Sequence, residues 1–201
     1  MLDVLVPGGG RPYLDGDSLD HTVPLVWTIP EVLTLAECDA MVARIDELGP
    51  TVAPVTTSRG FEMLPDIRNN RRVVFDDVPL AEDLFRRVRP HLPPTVAGQR
   101  AVGANERFRC YRYDPGQRFA PHYDGAYVRN DQERSLLTLI VYLNDDCGGG
   151  ATAFHDFDIK VTPRKGMALL FQHLLLHEGC VVTRGVKYAM RSDVMYRDVR
   201  D

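Results

Sequence analysis

The stretch of sequence that decides the fold runs from residue 107 to residue 143 and reads RFRCYRYDPGQRFAPHYDGAYVRNDQERSLLTLIVYL. It contains three runs rich in β-branched and aromatic residues, separated by turn residues, and the same texture continues toward the end of the chain. The predicted strands are Phe108–Tyr113, Phe119–Asp124, Leu136–Leu143, Thr152–Phe154, Ile159–Thr162, Met167–Phe171, Gly179–Val182 and Val186–Tyr196. Roughly eight strands without an intervening helix indicate a sandwich or barrel rather than a parallel α/β sheet.

Two helices are predicted upstream of this β-rich part. Thr34 and Glu37 form a capping box at the start of the first helix, which covers about residues 35–48 and ends at a Gly-Pro pair. The second helix covers about residues 79–88, and a short strand at 72–75 lies between the two.

The order of these elements predicts a mainly β protein with flanking helices, of the α+β class. Residues 7–20 read as an irregular lead-in. We expect a single domain over residues 1–201, with helical support over about 30–95 and a β core over about 105–198.

Length and charge exclude several classes of function. The chain has 201 residues and a formal net charge of −4, so no nucleic-acid partner is expected. Its apolar runs are shorter than the roughly 20 residues that cross a bilayer, and its first residues lack the features of a secretory signal. We therefore predict a cytoplasmic protein without membrane association. The four dispersed cysteines favour buried, reduced thiols over a zinc site.

Six arginines fall within one short stretch of the chain, and two interpretations of them stay open. They are Arg68, Arg71, Arg72, Arg86, Arg87 and Arg89. A solvated, partly salt-bridged face is the favoured interpretation, and a local basic patch is the alternative.

A tripeptide with two potential metal ligands lies in one of the predicted strands. Side chains alternate along a strand, so His122 and Asp124 point to the same face. Two histidines and one carboxylate leave open positions on a metal and form the ligand set of non-haem Fe(II) oxygenases. His177, on a distant strand, is the predicted third ligand.

A lysine near the end of the chain supports this interpretation. Folding the last two predicted strands antiparallel about residue 182 places Lys187 opposite His177. A cation near the metal is what a chelating dicarboxylate requires, since one carboxylate binds the metal and the other pairs with the ammonium. His155 and His173 are predicted to be histidines with satisfied hydrogen bonds rather than ligands.

The sequence from Tyr113 to Tyr196 resembles the 2-oxoglutarate- and Fe(II)-dependent dioxygenases of the prolyl 4-hydroxylase type. The motifs that carry the resemblance are Tyr113-x-x-Gly116-Gln117-x-Phe119-x-Pro121-His122-x-Asp124, Tyr142-Leu143-Asn144, Gly149-Gly150-x-Thr152-x-Phe154, Pro163-x-x-Gly166-x-Ala168, His177-Glu178-Gly179 and Gly185-x-Lys187-Tyr188. The resemblance implies a double-stranded β-helix (a jelly-roll, cupin-like core) and hydroxylation of an aliphatic C–H bond. It also implies Fe(II), 2-oxoglutarate and O2 as cofactor and co-substrates, with ascorbate as an additional reductant.

The resemblance assigns a role to each matching residue. His122, Asp124 and His177 match the iron ligands, and Lys187 matches the residue that anchors the far carboxylate of 2-oxoglutarate. Residues that match the walls of the same pocket are Tyr113, Tyr142 and Thr152. A carboxylate at Asp124, rather than a small residue, favours hydroxylation over halogenation.

Two departures from the family bear on the substrate. The loop after the tripeptide, residues 125–135, is short, and the last strand carries Arg191-Ser192-Asp193 where peptide-hydroxylating members have an aromatic residue. These departures argue against a collagen-like or proline-rich peptide. They leave open a free amino acid, a short peptide including a prolyl one, and a small natural product. They also leave open whether Arg191 or residues 68–72 contact the substrate.

Two other functions remain possible from the sequence. One is a cupin-like metal enzyme that uses no 2-oxoglutarate, for which a cation beside the metal has no evident purpose. The other is a non-catalytic binding domain of the same fold, which has no need of an intact set of ligands. The sequence predicts no oligomeric state.

Overall fold

The computed structural model describes residues 2–10, 19–57 and 60–198. Within these residues lie two α-helices, two short 3-10 helices and eighteen strands. The helices are α1 at Leu35–Glu47 and α2 at Val78–Val88, and the 3-10 helices cover Arg89–His91 and His155–Phe157. The lead-in expected over residues 7–20 lies mostly outside the described residues. The mainly β fold with flanking helices is confirmed.

The capping box predicted for the first helix is present. The Thr34 hydroxyl accepts a hydrogen bond from the backbone N–H of Glu37 over 3.2 Å, and the Glu37 carboxylate accepts one from the backbone N–H of Thr34 over 2.7 Å. The helix buries Cys38, Met41 and Ile45 against the apolar cluster that also contains one face of the largest sheet. Helix α1 is therefore a support on the outside of the β core.

The strands are short except for three. In chain order they are β1 Asp3–Val6, β2 Val26–Ile29, β3 Thr51–Val52, β4 Val55–Thr57, β5 Gly60–Glu62, β6 Arg71–Asp76, β7 Gln99–Ala104, β8 Arg107–Tyr113, β9 Phe119–His122, β10 Val128–Asn130, β11 Glu133–Tyr142, β12 Gly148–Gly149, β13 Thr152–Phe154, β14 Ile159–Val161, β15 Ala168–Gln172, β16 His177–Gly179, β17 Val182–Arg184 and β18 Lys187–Asp198.

Two sheets form the core, and all of their pairings are antiparallel. The major sheet has ten strands in the order β1-β2-β15-β11-β18-β8-β6-β3, with β10 paired to β11 and β7 paired to β18. The minor sheet has four strands in the order β14-β13-β16-β9. Residues from both sheets line one cavity between them, which is the arrangement expected of a double-stranded β-helix.

Several predicted strand boundaries were wrong. The predicted strand Gly179–Val182 is two separate strands, β16 and β17, which belong to different sheets. The predicted strand Phe119–Asp124 ends at His122. The sequence analysis also missed β1, β2 and β7, and these strands extend the major sheet with residues that precede 105. Strand β2 shows no period-two alternation, because it is buried on both faces.

Candidate active site

The two predicted histidine ligands face each other across one strand pair. His122 is the last residue of β9 and His177 is the first residue of β16, and the two are directly paired in the minor sheet. Directly opposed residues point to the same face. Asp124 lies two residues past the end of β9, where its backbone N–H donates to the His173 carbonyl over 3.1 Å.

The three side chains form a compact cluster of potential ligands. One ligand atom from each of His122, Asp124 and His177 lies within 4.8 Å of the other two. Asp124 Oδ1 is 3.8 Å from His122 Nε2, and Asp124 Oδ2 is 3.5 Å from His177 Nε2. The donor set is the two-histidine, one-carboxylate set of non-haem Fe(II) sites.

Both imidazole rings are held with Nε2 directed at this cluster. Nδ1 of His122 hydrogen-bonds the Ala120 carbonyl over 2.8 Å, and Nδ1 of His177 hydrogen-bonds the Leu175 carbonyl over 3.0 Å. A carbonyl only accepts, so Nδ1 carries the proton and the Nε2 lone pair is free to bind a metal. Burial lowers the pKa of His122 to about 3 and also lowers the pKa of His177. Both rings are therefore neutral near pH 7, as metal ligands must be.

Both oxygens of the Asp124 carboxylate accept hydrogen bonds from buried side chains. Oδ1 accepts from Arg191 Nη1 over 2.6 Å, and Oδ2 accepts from the Thr138 hydroxyl over 2.7 Å. Burial alone raises the pKa of Asp124, but the Arg191 guanidinium and the nearby histidines hold that pKa well below its usual range. The carboxylate is ionised and oriented by the protein itself.

The sequence analysis did not anticipate the chain of hydrogen bonds behind Asp124. His173 Nδ1 lies 2.9 Å from the Thr138 hydroxyl, and His173 Nε2 lies 2.7 Å from the Ser135 hydroxyl. His173 is thus a core histidine with satisfied hydrogen bonds, as predicted, and it also fixes the residue that holds Asp124. His155 hydrogen-bonds Glu178 over 2.9 Å on the surface, also as predicted.

A narrow cavity between the sheets extends from this cluster to Lys187. The predicted ligands lie along it together with the residues predicted to contact 2-oxoglutarate, which are Lys187, Tyr113, Tyr142 and Thr152. Phe119, Ile140 and Arg191 complete much of the remaining wall. The structure therefore brings together every residue that the sequence assigned to the site, and the role of each stays a prediction.

Lys187 is a buried cation with little to neutralise it. Its Nζ donates to the Gly150 carbonyl over 2.5 Å and lies 5.1 Å and 5.4 Å from the ring centroids of Tyr113 and Tyr142. Among the described residues, no carboxylate forms an ion pair with it. Burial lowers the pKa of Lys187 to about 8. A buried and unpaired ammonium that lines a cavity is suited to pair with an anion.

The cavity beside Lys187 is shaped by Tyr142, Thr152 and Gly150. The Tyr142 and Thr152 hydroxyl oxygens lie 2.7 Å apart, and both are buried. Gly150 has a φ of +68°, and a Cβ there would lie 3.0 Å from Lys187 Cδ. Glycine at this position therefore lets the lysine side chain pass close to the backbone.

The predicted pairing of Lys187 with His177 is wrong, although both residues line the same cavity. His177 pairs with His122, and Lys187 pairs with Tyr113 on β8 in the other sheet. No hairpin turns about residue 182, because β17 pairs with β12 rather than with β18. His177 and Lys187 both line the cavity because their strands lie in facing sheets.

Comparison with known proteins gives one consistent set of matches. Residues 108–192 match the family model described as the 2OG-Fe(II) oxygenase superfamily. Prolyl 4-hydroxylase 1 of Arabidopsis thaliana is 26% identical over 193 residues, which cover 83% of this chain and 67% of that protein. The multifunctional procollagen lysine hydroxylase and glycosyltransferase LH3 of Rattus norvegicus is 31% identical over 195 residues, which cover 90% of this chain and 25% of that protein.

Solved structures show the same fold at low sequence identity. The viral collagen prolyl hydroxylase vCPH from Paramecium Bursaria Chlorella virus-1, in its 2OG complex, aligns with a TM-score of 0.59 and 22% identity over 91% of this chain and 98% of that one. A prolyl hydroxylase from Trichoplax adhaerens, solved with a peptide fragment of hypoxia inducible factor, aligns with a TM-score of 0.62 and 16% identity over 86% of this chain and 83% of that one. The chain spans about two thirds of the length of the Arabidopsis protein and a quarter of the rat protein.

Proposed function

We propose that this chain, which is a 2-oxoglutarate- and Fe(II)-dependent oxygenase of the prolyl 4-hydroxylase type, hydroxylates a prolyl residue of a peptide substrate. The observation that carries the proposal is one cavity that holds a two-histidine, one-carboxylate cluster near one end and an unpaired buried lysine near the other. The cofactor and co-substrates of the family are Fe(II), 2-oxoglutarate and O2.

The residues of the cluster fit an Fe(II) ion. His122 and His177 are neutral, with Nε2 directed at the cluster, and Asp124 is an ionised carboxylate. Each of the three also has a hydrogen-bonding partner behind it, as metal ligands in proteins usually do. These three side chains would hold the ion and leave positions open for a chelating co-substrate.

The other end of the cavity fits the far carboxylate of 2-oxoglutarate. Lys187 would donate to that carboxylate and gain the counter-ion that it lacks. The Tyr142 and Thr152 hydroxyls lie in the same wall, and because one donates to the other, a single O–H of the pair is left to donate to a carboxylate oxygen. When bound, iron with 2-oxoglutarate and O2 supplies the oxidation, which yields succinate, CO2 and a hydroxylated substrate.

Besides holding the metal and the co-substrate, the residues of this chain would orient the substrate and exclude water. Phe119 stacks on the His122 ring with centroids 3.5 Å apart and an interplanar angle of 15°. Together with Ile140 and Ala189 it gives the cavity an apolar wall against which a C–H bond can approach. A prolyl ring is uncharged and suits such a wall.

The similarity to a lysine hydroxylase raises a second candidate substrate, a peptidyl lysine. The charge of the site opposes it. Asp124 is the one carboxylate among the described residues that line the cavity, and it pairs with Arg191 and would bind the metal, so a lysyl ammonium would find no free counter-ion there. Prolyl peptides are therefore the first choice, ahead of lysyl peptides, free amino acids and small natural products.

The test uses the purified protein with Fe(II), 2-oxoglutarate and O2, with and without ascorbate. Matched peptides containing proline or lysine, free proline and a peptide-free sample are compared for succinate release and for the mass gain of one oxygen atom. We expect a prolyl peptide to gain oxygen and to stimulate succinate release at least about tenfold over the peptide-free rate. Oxygen gain by the lysyl peptide alone, or by free proline alone, contradicts the proposed substrate.

A further inference from the structure

The concave face of the major sheet continues beyond the cavity as a surface rich in arginine. We call Arg68, Arg72 and Arg109 the arginine shelf. We propose that the arginine shelf binds an acidic segment of the peptide substrate close to the residue that is hydroxylated. This inference rests on the proposed function and adds a substrate class to it.

Strand register places two of these arginines on the same face as the cavity. In the pairing of β18 with β8, Lys187 lies opposite Tyr113 and Arg191 lies opposite Arg109. In the pairing of β8 with β6, Tyr111 lies opposite Arg72. Opposed residues share a face, and alternate residues along β8 share it too, so Arg72 and Arg109 face the same side as Lys187 and Arg191.

Arg68 lies at the rim between the cavity and the rest of the shelf. Its guanidinium stacks 4.3 Å from the Phe119 ring centroid and 4.9 Å from that of Tyr111, and both rings line the cavity. Nε donates to the Asn70 side chain over 2.8 Å. Nη2 is buried and has no hydrogen-bond acceptor, which leaves a donor for a further ligand.

The shelf carries more positive charge than its carboxylates neutralise. Arg109 pairs with Asp193 over 3.3 Å, but Asp193 also accepts from Arg191 over 3.0 Å. Arg68 and Arg72 form no ion pair with any carboxylate among the described residues. Burial, followed by the charges of Arg68 and Arg109, lowers the pKa of Arg72, which shows how closely the three cations are grouped.

Two other arginines of the same sequence stretch, both on α2, do not share this property. Arg86 and Arg87 both pair with Asp83, and Arg87 also pairs with Glu37 on α1. The salt-bridged interpretation thus holds for Arg86 and Arg87, and the basic-patch interpretation stays a prediction for Arg68 and Arg72. The positive charge of the shelf is a local feature of a chain whose formal net charge is −4.

The shelf is open enough, and near enough, for a peptide that occupies the cavity. Arg72 and Arg109 are half-buried, and Val74, opposite Arg109 on β6, is 47% exposed. From β18 across β8 to β6 the distance is about 10 Å, or two strand spacings. An extended peptide covers that distance in about three residues, so we expect the acidic residues within about three positions of the target proline.

The test compares three prolyl peptides of equal length that carry Asp, Asn or Lys within three positions on both sides of the proline. Binding to the Mn(II)- and 2-oxoglutarate-loaded protein is measured by fluorescence polarisation, and hydroxylation is measured by mass with Fe(II). We expect the Asp peptide to bind about five- to tenfold more tightly than the Asn peptide at low salt, with the ratio falling as salt is added. Arg72→Gln lowers that ratio about threefold, and Arg86→Gln, on α2 and paired with Asp83, leaves it unchanged.

Each result decides a separate point. Equal binding of the Asp and Asn peptides overturns the acidic-segment inference, and so does an unchanged binding ratio in Arg72→Gln. In either case the proposed function stands if both peptides are hydroxylated. If no prolyl peptide is hydroxylated, the proposed function fails, and the inference fails with it.

Discussion

The Arg191 guanidinium donates to Asp124 Oδ1 over 2.6 Å, and both side chains line the cavity. The same guanidinium donates to Asp193 over 3.0 Å, so one arginine neutralises parts of two buried carboxylates. Asp124, the carboxylate of the candidate iron site, is therefore held in place by the protein before a metal arrives. Arg191 is best described as a positioning residue for Asp124.

Removing Arg191 should destabilise the metal-free protein strongly. We expect Arg191→Met to lower the free energy of unfolding by about 3 kcal/mol or more, since Asp124 would stay buried without its guanidinium partner and Asp193 would keep only Arg109. Urea unfolding measures this, with Arg86→Met as the matched control. Arg86 is 72% exposed in its ion pair with Asp83, and its loss should cost less than about 1 kcal/mol. Equal losses in the two variants contradict the role given to Arg191.

Thr138 supports the second oxygen of the same carboxylate. Thr138→Val keeps the shape of the side chain and removes the hydroxyl that links Asp124 to His173. We expect Fe(II) or Mn(II) affinity to fall about tenfold, the usual effect of losing a hydrogen bond behind a metal ligand. Calorimetric titration of the metal-free protein measures this affinity. Thr51→Val, at an exposed position on β3, serves as the control, and an unchanged affinity in Thr138→Val would show that the hydroxyl does not orient the ligand.

The sequence predicted the residues of the candidate site better than it predicted the residues that hydrogen-bond to them. Four of the site residues fall in motifs with characteristic neighbours, so each could be found from the sequence alone. They are His122, Asp124, His177 and Lys187. For Arg191 the sequence left open a contact with the substrate, and it did not predict the ion pair with Asp124. The two residues are 67 positions apart in the chain, and they meet because β18 and the segment after β9 lie on opposite sides of one cavity.

The buried state of Lys187 gives the binding of 2-oxoglutarate a pH dependence. Its pKa is about 8 when the cavity lacks an anion, because burial disfavours the ammonium. Binding a carboxylate restores the proton, so above pH 8 binding takes up a proton and affinity should fall by up to about tenfold per pH unit. Below pH 8 the lysine is already charged and this dependence should be absent. Titration of the Mn(II)-loaded protein with 2-oxoglutarate at several pH values measures the effect.

Arginine at the same position provides the control for that titration. A guanidinium keeps its charge throughout the range, so Lys187→Arg should lose the decline above pH 8 if the larger side chain still binds the co-substrate. Lys187→Met should bind 2-oxoglutarate at least about tenfold more weakly than the wild type at pH 7. A decline above pH 8 that persists in Lys187→Arg would assign it to another group.

The fold was predictable where the chain has strong local signals and not where strands depend on distant partners. The capping box of α1 and the long strand β18 came directly from the sequence. The splitting of residues 177–184 into two strands did not, because one of them pairs with β9 and the other with Gly148–Gly149. Each pairing is non-local, and it overrides the local preference of a short apolar run.

The central claim is a metal centre at His122, Asp124 and His177 that binds 2-oxoglutarate toward Lys187. Anaerobic absorption spectroscopy tests this claim most directly. Fe(II) followed by 2-oxoglutarate is added to the wild type, His177→Ala and the surface variant His155→Ala. We predict a visible charge-transfer band of the Fe(II)–2-oxoglutarate chelate in the wild type and in His155→Ala, and no band in His177→Ala. A band of full intensity in His177→Ala, or none in the wild type, would contradict this account of the site.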